Sequence, residues 1–179
     1  MNKPLRQRGF TLIELMVVVA MVAIMMTLAV PGLRTLLVNQ RLNAVTSDFQ
    51  SSAMQARSTA LKFNQRVIVQ PSAGAGGAWA DGYRIYIDID QNSSYDSGTD
   101  TLVLTPEKPP EGVTIAKQTG VNNYFGYDGS GFLASIGGSA NATWKITASG
   151  TDRIRCLIIE RSGRARVHDP RPATTCPTS

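Results

Sequence analysis

The chain has 179 residues, 42% of them apolar and 17% charged, with a formal net charge of +5. That length allows one domain plus an anchoring segment. Lys3, Arg6 and Arg8 at the N-terminus supply +3, and the rest carries 15 Lys+Arg against 13 Asp+Glu, so bulk charge alone calls for no polyanion partner. Enzymatic chemistry is not indicated. The single histidine, His168, has no nucleophile or acid at a recognisable spacing, and no metal cluster or cofactor motif stands out.

The first thirty residues read MNKPLRQRG and then FTLIELMVVVAMVAIMMTLAV. Phe10–Val30 is 21 residues, roughly 30 Å of helix and about one hydrocarbon thickness. The run is too long for a cleaved signal peptide, and no small-x-small site precedes Pro31. A plain anchor fits the basic flank but leaves Glu14 unexplained. A carboxylate at membrane depth costs several kcal/mol, so it points to a function.

The stretch RGFTLIELMVVVAMVAI resembles the N-terminus of type IV pilins and type II secretion pseudopilins. It has a short basic leader, Gly9, Phe10, Glu14 and Pro31 in the family's pattern. The resemblance implies that a prepilin peptidase cuts Gly9–Phe10 and methylates the new amine of Phe10. It further implies insertion in the bacterial inner membrane, a periplasmic C-terminal domain, and other pilins and minor pilins as partners in a filament at the cell surface. Glu14 would then meet the α-amino group of a neighbouring subunit, which offsets part of its desolvation and sets the axial register. The alternative is Glu14 snorkelling to the interface.

Residues 1–9 are thus expected to be a leader, 10–30 a membrane and filament-core helix, and 31–64 an amphipathic continuation. Pro31-Gly32 should bend the helix without ending it. The apolar period resumes at Val38, Leu42, Val45, Phe49, Ala53, Ala56, Ala60 and Phe63, a helical stripe. Arg34, Arg41, Arg57 and Lys62 read as its solvated face.

From residue 65 to 179 the pattern turns to strands and turns. RVIVQ, YRIYIDI, TLVL, VTIA, NYFGYD and ATWKITAS are strand candidates, and no second long helix appears. The fold class is α+β, a long N-terminal helix packed on an antiparallel β-sheet domain. The segment from Asp88 to Asp96 places oxygen ligands at alternate positions, as calcium loops do. Ser93 stands where such loops need glycine and Thr99 where they need glutamate, so it reads as an acidic hairpin loop and no metal ligands are assigned.

Lys145 to Arg171 holds seven bases and three acids. Ser162-Gly163 can form a two-residue hairpin turn. Arg161 then faces Arg164, and Ile159 faces Arg166. Ile154, Cys156, Ile158, Ala165 and Val167 would share a core face. Arg153, Arg155, Arg161, Arg164 and Arg166 would share the other face with Leu157 and Ile159, with Arg171 just beyond. Such a stripe suits phosphates, because the guanidinium fork donates two hydrogen bonds to phosphate oxygens. It suits equally a solvated or subunit-facing surface.

Gly163-Arg164-Ala165-Arg166 resembles the GRxR motif of FimT/GspH-type minor pilins. That resemblance implies non-specific binding of double-stranded DNA in natural transformation. The alternative is a GspH-like pseudopilin, or a structural or priming minor pilin without a DNA role. Cys156 and Cys176, in an exported chain, read as one disulfide that pins the tail across the hairpin.

Overall fold

The computed structural model describes residues 10–119, 123–134 and 141–177. Gly9 lies outside them. The chain divides into two compact units, Met1–Leu37 and Val38–Ser179.

The first unit is helical. Helix α1, Leu12–Phe63, starts here and continues without interruption through Pro31 and Gly32. Its start is a reciprocal cap: the Thr11 amide and hydroxyl each donate to Glu14 Oε2 at 2.9 Å, and the Glu14 amide donates to Thr11 Oγ1 at 3.3 Å. This capping box satisfies amides that a helix N-terminus otherwise leaves open. Phe10, Leu12, Ile13, Met16, Val19 and Ile24 are all exposed. The span is long and apolar enough to cross a membrane, with a mean hydropathy of 2.6.

The second unit contains the rest of α1 and two antiparallel sheets. One is ordered β3-β2-β1-β5, from Thr101–Leu104, Tyr83–Ile87, Val67–Pro71 and Phe125–Tyr127. The other is ordered β4-β6-β7-β8, from Val113–Thr119, Ala142–Ala148, Ile154–Ile159 and Ala165–His168. The expected strands lie where the alternating patterns placed them, and a 3-10 turn at Trp79–Asp81 is the one further element described.

Leu42, Val45, Phe49, Ala53, Ala56 and Ala60 of α1 are buried, and Val38 is partly buried against them. The alanines keep this face thin, so the sheets can approach closely. Phe63 departs from the expected stripe and is 53% exposed. The helix is ending there: Asn64 takes the left-handed conformation at φ 51, and the Gln65 amide donates back to the Ala60 carbonyl.

Phe49 is the centre of the core. Its ring meets Trp79 at 5.1 Å, Tyr83 at 5.4 Å, Phe125 at 5.8 Å and Trp144 at 6.2 Å, all edge to face. Tyr83 and Phe125 come from one sheet and Trp144 from the other. One helix side chain therefore joins two sheets that share no hydrogen-bonded strand pair among the described residues.

Candidate functional site

The β7–β8 hairpin carries the expected arginines, with a different register. Ile159 pairs with Ala165, Ile158 with Arg166, Leu157 with Val167 and Cys156 with His168. The Glu160 amide donates to the Arg164 carbonyl at 3.0 Å and the Gly163 amide to the Glu160 carbonyl at 2.8 Å. The loop is thus three residues, Arg161-Ser162-Gly163, with Gly163 left-handed at φ 79. Shifting a register by one residue sends every side chain of one strand to the opposite face.

The expected single-sided stripe of Arg153, Arg155, Arg161, Arg164 and Arg166 therefore does not form. Leu157 and Ile159 belong to the main core, with Ala165 packed against it. Cys156 and Ile158 lie on the reverse face, where they cluster with Cys176. Arg166, opposite Ile158, shares that reverse face, whereas Arg155 shares the helix-side face with Leu157.

Gly163 explains the longer loop. A side chain there would place its first carbon 1.9 Å from the Gly131 carbonyl oxygen and 2.9 Å from Arg57 Nε. Only glycine supplies both the left-handed backbone and the clearance.

Arg57, expected on the solvated face of the helix, instead lies against the hairpin. It is half-buried, and it donates from Nε to the Gly131 carbonyl and from Nη2 to the Ser162 carbonyl, both at 2.9 Å. It is one of a row of polar helix residues that fasten the hairpin. Asn39 Oδ1 accepts from Thr151 Oγ1, Asn43 Oδ1 accepts from Arg155 Nε, and Gln50 Nε2 donates to the Ala165 carbonyl. The signal was present: 43, 50 and 57 are seven apart, a second stripe beside the apolar one.

The individual arginines differ. Arg155 is largely buried, with 13% of its side chain exposed, and pairs with Asp169 at 2.7 Å. Arg171 pairs with the same carboxylate at 2.7 Å. Hydrogen bonds from Arg171, with the Arg155 and Arg171 charges adding, hold the Asp169 carboxyl down at about 2. Arg166 pairs with Glu160 at 3.0 Å. Arg153 precedes β7, at the end of the strand away from the turn. Arg161 in the turn and Arg164 just after it are exposed and make no ion pair among the described residues. Cys156 and Cys176 are disulfide-bonded as expected. The tail is held further by Gln118 of β4, which exchanges hydrogen bonds with the backbone of Cys176.

A long apolar helix with a capped glutamate, followed by two sheets packed on its second half, defines a type IV pilin-like subunit. The profile described as Type II transport protein GspH matches residues 45–163, and that of the prokaryotic N-terminal methylation motif matches residues 4–30. The chain belongs to the GspH family. It is a structural subunit of pilin-like type and not an enzyme. The fold is similar to that of the type IV minor pilin FimU of Pseudomonas aeruginosa, with a TM-score of 0.58 and 19% identity over 79% of this chain and 96% of that one. It is also similar to the minor pseudopilin EpsH of the type 2 secretion system of Vibrio cholerae, with a TM-score of 0.50 and 12% identity over 73% and 98%. Among curated proteins none matches. Membership of this family implies contacts with other pilins in a filament, and the apolar helix fits a membrane-anchored subunit with a soluble C-terminal domain.

Proposed function

We propose that this chain is a minor pilin of a type IV pilus that contacts double-stranded DNA, without base readout, through the β7–β8 turn. In this reading a prepilin peptidase cuts Gly9–Phe10 and methylates Phe10, the chain enters the inner membrane, and Glu14 exchanges its Thr11 contacts for a neighbour's amine on assembly. The observation that supports DNA contact is the exposure of Arg161 and Arg164 on one turn that Arg57 and Gly163 hold against the domain. Two guanidinium groups on a fixed loop can approach adjacent phosphates without ordering a flexible segment first. Arg166 and Arg171 would assist from the flanks by exchanging Glu160 and Asp169 for phosphate. Gly163 shapes the turn, while Arg153 and Arg155 stand apart from it.

The test is Arg161→Gln with Arg164→Gln in the full chain in detergent, with duplex binding measured across a salt series. Loss of two phosphate contacts should lower the slope of log K against log salt by about 1.8. Arg155→Gln should leave that slope unchanged. Identical affinity and slope in the double variant refute the DNA role. A second reading is favoured by the pairing of Arg155, Arg166 and Arg171 with carboxylates. There the arginines are structural, and the chain is a pseudopilin or priming subunit. The double variant would then lose filament assembly with no DNA binding to lose.

A further inference from the structure

The loop between β2 and β3 contains a feature that the filament role leaves unexplained. Asp88, Asp90 and Asp100 each offer one carboxylate oxygen, and the three oxygens lie within 4.8 Å of one another. Asp88 and Asp100 are buried, and Asp90 is exposed at the mouth. Calcium–oxygen distances run at about 2.3–2.6 Å. Two oxygens on one such ion can therefore be no more than about 5 Å apart, and the three carboxylates meet that limit.

Crowded acids alone establish nothing. The second observation is a missing partner. The Asp88 side chain is fully buried. Its Oδ2 accepts from Arg66 Nε, Arg66 Nη2 and the Ser93 amide. Its Oδ1 has no hydrogen-bond partner among the described residues. A buried carboxylate oxygen without a partner is costly, and native structures rarely leave one. The Tyr86 hydroxyl, two residues earlier in the chain, is also buried and without a partner among the described residues, and it feels the charges of Asp88 and Asp100.

Charge points the same way. Three carboxylates against the single Arg66 guanidinium leave −2, which one divalent cation balances. The donor set is all oxygen, with no imidazole or thiolate, so it suits a hard cation. Calcium accepts irregular oxygen coordination of this kind, whereas magnesium demands a near-ideal octahedron.

We propose that Asp88, Asp90 and Asp100 hold one calcium ion, with Asp88 Oδ1 as its buried ligand. The twelve-position frame of known calcium loops overlooks this site because its last position falls on Thr99. The third carboxylate is one residue further on, at Asp100. The ion would fasten the whole 88–100 loop, whose Tyr95 covers the reverse face of the sheet: its ring meets Tyr86 at 5.3 Å, and the Arg84 guanidinium lies 4.8 Å from its centroid.

The experiment uses the full chain in detergent, stripped with a chelator and titrated with calcium chloride by calorimetry. Thermal melting and terbium luminescence excited through tyrosine run in parallel. One equivalent should bind, and at a hundredfold excess over Kd the Tm should rise by on the order of 5–10 °C. Terbium should luminesce through Tyr86 and Tyr95 and be displaced by calcium. Asp90→Asn changes only an exposed side chain. It should lose at least tenfold in calcium affinity while its Tm in chelator stays at the wild-type value. No heat and no Tm shift with calcium would overturn the site. So would unchanged affinity in Asp90→Asn, or an equal response to magnesium alone.

Discussion

Phe49→Ala should be among the most damaging single substitutions in the globular unit. The ring is fully buried and makes four edge-to-face contacts with Trp79, Tyr83, Phe125 and Trp144, drawn from a 3-10 turn and both sheets. Removing a buried phenylalanine costs about 3–5 kcal/mol, depending on how far the site collapses. Collapse is hindered here, because the neighbours are rigid rings anchored in separate sheets. Each aromatic pair adds about 0.5–1.5 kcal/mol beyond its area, though not additively. A loss of about 4 kcal/mol follows, or roughly 10–15 °C in Tm for a unit of this size. Urea unfolding followed by tryptophan emission measures it directly, since the two tryptophans of the chain, Trp79 and Trp144, both touch the ring. Phe63→Ala on the same helix is the control and should change stability by less than about 0.5 kcal/mol, its ring being exposed. If Phe49→Ala loses less than about 1.5 kcal/mol at an unchanged m-value, the picture of one ring joining two sheets is wrong.

Cys176→Ser removes a bond that closes a loop with a sequence separation of 20. Chain entropy alone puts its contribution at about 3 kcal/mol. Comparison of oxidised wild type with the variant by urea unfolding checks the figure, and equal midpoints would contradict it. Asp169 supplies a pH signature. Its folded carboxyl, held at about 2 by Arg171 and Arg155, lies below its ordinary value of 3.8. Its contribution to stability is therefore complete above about pH 4 and disappears as pH falls through about 2. Asp169→Asn should flatten the loss of stability between those values relative to wild type, and parallel curves would refute the assignment.

The architecture was legible because its signals are local. Twenty-one apolar residues after a basic head, a stripe stepping by three and four, and short alternating runs each identify an element without tertiary information. Glu14 was legible as an anomaly, but not as half of a capping box with Thr11. The hairpin was located correctly and its register was not. Ser162-Gly163 is a plausible two-residue turn in isolation. What adds the third residue is Gly163 lying against the Gly131 carbonyl, a contact 32 positions away in sequence that no local pattern encodes. That one-residue error produced the expected stripe of five arginines. Alternation itself was ambiguous, since both faces of β7 are buried, one by α1 and the other by the tail. Tyr86 and Gln70 were hidden for the same reason: on β2 and β1, the face away from the helix is buried as well.

The tail gives the domain a mechanical property. β8 is an edge strand, attached among the described residues along one side, by its pairing with β7. A strand of that kind yields to force by peeling, one hydrogen-bonded pair at a time. Here the chain leaves β8, returns under the sheet to a covalent bond at Cys156 on β7, and is gripped by Gln118 on the far edge strand β4. The strand that follows the turn of Arg161 and Arg164 is therefore tied, through the tail, to both edges of the sheet. Peeling of β8 is thereby stopped at the tail, which is bonded covalently to β7 and by hydrogen bonds to β4.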